Sequence, residues 1–451
     1  MKLLIQLKQV TLLFLIALGF VCLLGSAAAF GGTNVIYSFA GDEDGEYADT
    51  DLAIDKAGNL YGTTVLGGDF GGGTVFQLSP SGNGWVHTVL YSFTGGLDGG
   101  EPYKGVTLDA EGNLYGTAVT GGSGSCEGGC GVAYKLTHGT WAQTVIHAFT
   151  GGNDGSGPGA RLTIDGQGNL YGMAPTGGAN GLGTIYQIHP DGNSWTLNVI
   201  HTFTGGADGA TGSAGQMIFR GGLLYGAATA GGIYSKGTVF ELKPTQSGEW
   251  IFRTIYSFRG QPDAGFPYGG LLFDTSGHLF GTTYYDGAYN LGSVYELFPR
   301  PAGEWNERVL YSFQGGSDGQ NSISNLVFDA VGNLYGTTSE GGLGSGVIFG
   351  LTPTANARWR ESVPHQFQGP PDAAFAYNGM VADGFGNFYG ATVHGGTDGE
   401  GAIYKFTPNQ KSRDLLVPSI LVLSNDAKET MFFVGDASGE KDAVAQRKKI
   451  P

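Results

Sequence analysis

The chain has little of what most function classes require. It holds three cysteines in 451 residues, and one of them, Cys22, lies in the N-terminal apolar run. Basic residues are scarce too: Lys and Arg number 23 against 39 Asp and Glu, a formal net charge of −16. Between residues 30 and 408 the imbalance is 14 against 33. Such a surface repels nucleic acid and anionic lipid, which are bound through basic patches. Its ordinary use is solubility. After the N-terminus no apolar run approaches the roughly 18 residues a membrane-spanning helix needs, because Leu415–Leu423 is short and contains Pro418. Catalytic signatures are lacking as well. There is no His-Glu-x-x-His pair and no phosphate loop with its lysine, and the eight histidines are scattered. No cofactor is implied. Paired carboxylates for glycoside cleavage stay open, since any two acidic residues can meet in space.

What is present begins with an address. Lys2 and Lys8 precede the apolar stretch Val10–Leu24, and Ala27-Ala28-Ala29 supplies a small-residue cleavage site before Phe30. Residues 1–29 therefore read as a secretory signal peptide, with a secreted or periplasmic product. Phe20 and Val21 before Cys22 lack the small residue that lipid attachment wants. The remaining pair, Cys126 and Cys130, is expected to form a disulfide in an oxidising compartment. A zinc half-site would need two more ligands, and none lies nearby in sequence.

Glycine contributes 84 residues and aromatics 12%. That combination predicts tight turns between buried strands rather than a disordered linker. One phrase, Gly-Asn-Leu-Tyr-Gly-Thr-Thr at Gly58–Thr64, recurs seven times. Its aromatic falls at Tyr61, Tyr115, Tyr171, Tyr225, Phe280, Tyr335 and Tyr389, in steps of 54, 56, 54, 55, 55 and 54 residues. A period of about 50 residues built from short strands signals propeller blades. Four strand-like segments fill each unit: one ending in aspartate (Gly105–Asp109), the phrase itself, a Thr-Val-Phe-x-Leu run (Thr74–Leu78), and a run from tryptophan into Tyr-Ser-Phe (Trp85–Phe93).

All six tryptophans occupy the same place, yet there are seven units. The Tyr-Ser-Phe strand also appears at Val35–Phe39, ahead of any other segment. The economical prediction is an all-β, seven-bladed β-propeller of four-stranded blades over residues 30–408. Its ring closes by the N-terminal strand, which completes the last blade and removes two open edges. Near-continuous apolarity in the first segments, as at Leu326–Phe328, fits sheets buried on both faces. Residues 409–451 lack the glycine turns and read as a C-terminal tail, partly disordered, able to add one strand.

The string Gly-Asn-Leu-Tyr-Gly-Thr-Thr…Gly-Gly…Gly-Thr-Val-Phe-x-Leu…Trp…Leu-Tyr-Ser-Phe-x-Gly-Gly-x-Asp-Gly resembles the Gloeo/Verruco (GloVer) repeat of secreted bacterial proteins. The resemblance spans roughly residues 34–408 and implies an extracellular protein, without naming a reaction. Some relatives end in a Pro-Glu-Pro sorting anchor with an apolar span, and this tail has neither.

Blade order places the loops after the fourth strands with those between second and third strands, on one glycine-rich face around the channel mouth. Asp44, Asp98, Asp154, Asp208, Asp263, Asp318 and Asp372 recur there. An identical residue in every blade is what a turn needs, so turn bonding is preferred to a metal or sugar site. The acidic run Asp42-Glu-Asp44 with Asp49 and Asp51 invites calcium by ligand type. Its spacing does not match the EF-hand loop, and a solvated turn is the reading taken, with no metal. Variation between copies is more telling. Near the channel mouth, four residues before the hairpin aspartate, stand Asp51, Gly105, Arg161, Gln216, Gly270, Asn325 and Gly379, with Lys104 one residue earlier. Asp51, Lys104, Arg161, Gln216 and Asn325 are the candidate ligand-binding set, and no catalytic residue is assigned. The expected function is a secreted, monomeric, non-catalytic module for a glycan or protein. The alternative is a polysaccharide hydrolase or lyase at the channel mouth, which Arg161 facing Asp51 would favour.

Overall fold

The computed structural model describes residues 32–408 apart from 214, 302 and 356–357. The expected signal segment 1–29 and the tail 409–451 lie outside the described residues.

The recurring phrase can be read atom by atom in the first blade. Asp55 closes the hairpin by accepting from Ala57 N at 2.8 Å, Asn59 N at 2.9 Å and Asn59 Nδ2 at 2.7 Å. Leu60 then enters the core with no exposed surface. Tyr61 sends its hydroxyl back to Asp55 at 3.1 Å and turns its ring to Trp141 of the next blade, 6.3 Å away. Gly62 lies beneath Phe76 of the neighbouring strand, where an added Cβ would sit 2.6 Å from the ring. Only glycine fits such a close approach. The phrase is therefore a hairpin lock, a core residue, an inter-blade contact and a clearance, in that order.

Seven antiparallel four-stranded blades result. Two of them are extended by a short fifth strand (Ala210–Gly212 and Ala264–Pro267), and Ala373–Ala374 and His394–Gly395 form a separate two-stranded ladder. Blade 1 runs Ala53–Ile54, Leu60–Thr64, Thr74–Ser81 and Gly84–Ser92. Blades 2 to 6 repeat that order, and helix is confined to two short 3-10 turns among the described residues. Blade 7 takes Val381–Ala382, Phe388–Thr392 and Ala402–Thr407 from the end of the described chain. Its outer strand is Gly32–Ser38, antiparallel to Ala402–Thr407 with Gly32 opposite Thr407. The ring closes as expected. At the seam Phe39, Leu52 and Phe76 share one core with Tyr389 and Ile403.

Cores lie between blades, as sheets buried on both faces require. The phenylalanine of every Tyr-Ser-Phe copy, from Phe39 to Phe367, is fully buried. Tryptophans bridge blades at one recurring contact: Trp85 on Tyr389, Trp195 on Tyr115, Trp250 on Tyr171, with ring centres 5.6–5.8 Å apart. At blade 7 the rings of Phe388 and Phe406 lie against the corresponding Tyr335 of blade 6, each with centres 5.5 Å apart. The seven-fold aspartate is turn construction in six copies. Asp98 accepts from Thr94 N at 2.9 Å and Tyr91 Oη at 3.0 Å. His147, His201 and His365 hold the equivalent aspartates at 3.0–3.1 Å where tyrosine does so elsewhere. The bond runs back four residues, to the backbone N–H that follows the buried phenylalanine.

Blade 5 departs from this scheme. Tyr256 Oη donates to Glu307 Oε2 at 2.7 Å, and Ala264 N donates to Oε1 at 3.2 Å. Burial lifts the Glu307 carboxyl from 4.5 to about 7, against the pull of the Tyr256 hydrogen bond. A folded value above the unfolded one means the native state holds a proton that the unfolded chain releases. Stability from this group is present below about pH 4.5 and lost as pH rises through about 7. Glu307→Gln keeps an acceptor and removes the charge. It should raise stability near pH 8 by about 2–3 kcal/mol and leave it unchanged near pH 4, read by urea unfolding. An equal effect at both pH values would contradict the assignment.

Candidate functional site

Each inner strand descends from the glycine-rich face into the central channel. The structure brings the predicted rim set together there. Asp51, Arg161, Gln216 and Asn325 line one cavity of about 180 Å³, with Gly270 and Gly379 between them. Leu52, Leu326 and Val381, further along the same strands, complete that cavity. Lys104 lies on the other side of this layer, where it shares a smaller space with Asp51, Tyr268 and Asn378.

The polar groups bind one another across the ring. Asn325 Nδ2 donates to Asp51 Oδ2 at 2.9 Å, while its carbonyl accepts from Gly270 N at 2.6 Å. Gly379 N donates to Asp51 Oδ1 at 3.1 Å. Lys104 Nζ donates to Asp49 Oδ1 at 2.6 Å and Asn378 Oδ1 at 2.9 Å, and Asn378 Nδ2 returns to Asp49 at 2.9 Å. Gln216 Nε2 donates to the Leu162 carbonyl at 2.9 Å. Arg161 gives Nε to Thr107 Oγ1 and Nη1 to the Leu52 carbonyl, both at 3.3 Å. Burial raises the Asp51 carboxyl, although the charges of Lys104 and Arg161 oppose the shift. Burial likewise lowers Arg161, with Asp51 opposing. Blades 1, 2, 6 and 7 are thus tied across the channel, which is constricted rather than open.

The glycines of this layer are not interchangeable with the polar residues. A Cβ on Gly105 would lie 2.3 Å from the Asp51 carbonyl, one on Gly270 2.4 Å from Asn325 Oδ1, and one on Gly379 2.6 Å from the Asn325 carbonyl. Large side chains and glycines are interspersed because the constriction has room for only some side chains.

The acidic loop does not converge. Asp44 accepts from Tyr37 Oη at 2.8 Å, Asp49 goes to Lys104 and Asp51 to Asn325. Among the described residues no group of three or more His, Cys, Asp and Glu is placed to hold a metal ion. The Gly-x-Ser-x-Gly string Gly315–Gly319 is a blade turn whose Asp318 accepts from Gln314 N at 2.6 Å. It makes no nucleophile elbow. Cys126 and Cys130 are bonded, with Sγ–Sγ 2.03 Å.

One feature of the face escaped the sequence. Tyr47, Glu101, Thr211, Phe266, Asn321 and Phe375 hold left-handed φ of 54–58° at the same point of six blades, with Gly157 in the seventh. Each backbone N–H reaches the preceding blade, as in Glu101 N to Gly72 O at 2.9 Å and Phe266 N to Lys236 O at 2.7 Å. The backbone conformation is a clamp between blades. It costs a non-glycine residue about 1–2 kcal/mol, so glycine is the expected occupant, and six copies do without it.

Fold and site together define an all-β, seven-bladed propeller repeat protein with a channel constricted by polar side chains and a glycine-rich loop face. The chain belongs to the Gloeobacter/Verrucomicrobia repeat family, whose model matches residues 122–305 and 249–420. No curated protein matches it. Among solved structures it is similar to the extracellular domain ascribed to a hybrid two-component system of B. thetaiotaomicron: 12% identity, 83% of this chain, 40% of that chain, TM-score 0.51. It is also similar to an ancestral GH74 enzyme (12% identity, 83% of this chain, 49% of that chain, TM-score 0.49). A gluconolactonase from Xanthomonas campestris shares 13% identity over 69% of this chain and 88% of its own, with TM-score 0.39. At these identities the likeness is one of fold alone.

Proposed function

We propose that this protein is an extracytoplasmic, non-catalytic binding module that presents its glycine-rich face to a partner. The observation that carries this reading is the mutual engagement of the channel groups. Asp51, Lys104, Gln216 and Asn325 are each bonded to another channel group. A general acid or base needs hydrogen-bond reach to a substrate proton and a lone pair free to take it. These side chains are engaged by the channel wall: Asp51 by Asn325, Lys104 by Asp49 and Asn378, Gln216 by the Leu162 carbonyl. The hydrolase or lyase alternative asks Arg161 to face a carboxylate across an open mouth. Arg161 shares the cavity with Asp51, but its hydrogen bonds go to a hydroxyl and a backbone carbonyl and not to that carboxylate. In this reading the five polar residues form the rigid floor of the face, within reach of what docks above. Export is supported by the N-terminal segment, the disulfide and the family. Among the described residues no helix is long and apolar enough to cross a membrane.

The test is a panel of polysaccharides and oligosaccharides, scored for binding and, separately, for released product. Binding without turnover is the expected result. Turnover that disappears in Arg161→Ala would overturn the reading in favour of the enzyme.

A further inference from the structure

Seven copies of one unit act as internal controls. Where a blade differs from the others at no cost to the fold, the difference is not construction. The largest such departure on the glycine-rich face lies in blade 5. Where blade 1 has Val65-Leu66-Gly67, blade 5 has Tyr284-Tyr285-Asp286. Phe266 and Tyr268 stand where blade 3 has Gly157 and Gly159, blade 7 has Phe375 and Tyr377, and blade 2 has Glu101 and Tyr103. The departure proper is therefore Tyr284-Tyr285-Asp286, which Phe266 and Tyr268 extend. These four rings form one continuous line: Phe266 to Tyr285 at 5.8 Å, Tyr285 to Tyr284 at 4.5 Å, and Tyr284 to Tyr268 at 5.5 Å between centres. Tyr268 also borders the space beside Lys104, so the line runs from the loops to the channel mouth. Tyr268 is 38% exposed and Tyr285 44%. Contiguous exposed aromatic surface on a protein otherwise so rich in charge of one sign marks an interaction site.

The line is also braced. Asp286 takes a left-handed φ of 61° where blades 1 to 4 use glycine. Its buried carboxylate accepts from Lys236 Nζ of blade 4 at 3.2 Å and from Gln261 N at 3.2 Å, and its second oxygen has no partner. Lys236 in turn sits 4.8 Å from the centre of the Phe266 ring. Asp286 is thus a positioning residue that fixes Lys236 against the shelf.

We infer that the Phe266–Tyr285–Tyr284–Tyr268 line is a stacking shelf for a neutral oligosaccharide. The inference rests on the binding-module reading and gives it a substrate class. Flat rings with phenol edges suit a sugar, which offers an apolar C–H face and a rim of hydroxyls, and tyrosine holds such contacts at low entropic cost. Charge excludes acidic glycans. The chain carries a net −16, and the cations beside the shelf, Lys236 and Lys104, are already paired with Asp286 and Asp49. Shape disfavours a protein partner, which needs about 800 Å² of contact on each side, whereas these rings form a narrow track one blade wide. A track suits a linear chain.

The mature chain is titrated with neutral cello-, xylo-, malto- and chito-oligosaccharides, beside Tyr268→Ala/Tyr285→Ala and the control Phe385→Ala. Phe385 is 84% exposed on a blade 7 hairpin away from this face. The double variant should keep its circular dichroism and lose at least about ten-fold in affinity for the oligosaccharide that binds, and Phe385→Ala should lose nothing. A double variant that binds as tightly as the parent overturns the shelf and leaves the binding module standing. A parent that binds only acidic polysaccharide or a purified protein overturns the neutral-sugar assignment. Product release from a bound oligosaccharide overturns the module itself.

Discussion

A chain that starts at Ala40 should unfold on the order of 10 °C below one that starts at Gly32. Phe39 is fully buried in the core shared by blades 1 and 7, and losing such a side chain alone costs about 3–5 kcal/mol. The deletion also strips the partner of Ala402–Thr407, which pairs with Gly32–Ser38 over the length of the strand. An open edge then appears where the ring had none, an invitation to aggregation. The loss should be uneven. Amide exchange should accelerate at Ala402–Thr407 in blade 7 and change little at Thr184–Asp191 in blade 3, which contacts neither end. A truncation that melts with the full chain would show that blade 7 is completed otherwise.

A second large effect, with opposite signs at one contact, is expected inside blade 3. An added Cβ on Gly172 would lie 2.3 Å from Tyr186 Oη and 2.5 Å from Cζ, with both residues in a closed core. Gly172→Ala should therefore cost about 3 kcal/mol, the upper part of the range for overpacking. Tyr186→Phe should act the other way. The Tyr186 hydroxyl is buried without a hydrogen-bond partner, as are those of Tyr134, Tyr295 and Tyr404. Phe76, Phe240 and Phe349 fill the same place in the other blades. Removing an unsatisfied buried hydroxyl should gain about 1 kcal/mol. Denaturant unfolding of both variants reads the pair. A destabilised Tyr186→Phe would mean that the hydroxyl has a partner, for instance a trapped water.

The architecture was legible because repetition removes ambiguity. One strand-like segment with a glycine turn says little, but seven at a constant step fix the blade. The surplus Tyr-Ser-Phe copy at the N-terminus gave the closure. Asking where copies disagree singled out five rim residues, and the structure places four of them, Asp51, Arg161, Gln216 and Asn325, around one cavity, with Lys104 in the smaller space beyond. What they do there was not legible, since Asp51 meets Asn325 across 274 residues of chain and no local pattern announces it. For the same reason the sequence gives no sign that the three rim glycines each make room for Asp51 or Asn325. The left-handed clamp was hidden more completely. Glycine is its usual sequence signal, and only Gly157 supplies it. Tyr284-Tyr285-Asp286 was in plain view, but its meaning depends on Phe266 and Tyr268 arriving beside it from the preceding loop.

The central claim is that repeated residues build this propeller and departures from the repeat give it a partner. The most direct test is thermal unfolding of a variant carrying Tyr268→Gly, Tyr284→Val and Tyr285→Thr, with and without the bound oligosaccharide. These substitutions copy Gly159, Val119 and Thr120 from the same positions of blades 3 and 2. The account predicts that, without sugar, the variant melts within about 2–4 °C of the parent, the shift expected for a change near 1 kcal/mol. It also predicts that the ligand-induced rise seen in the parent disappears. A variant that melts as low as Gly172→Ala would make the aromatic line construction after all. One that keeps the sugar-induced rise would place the partner elsewhere on the ring.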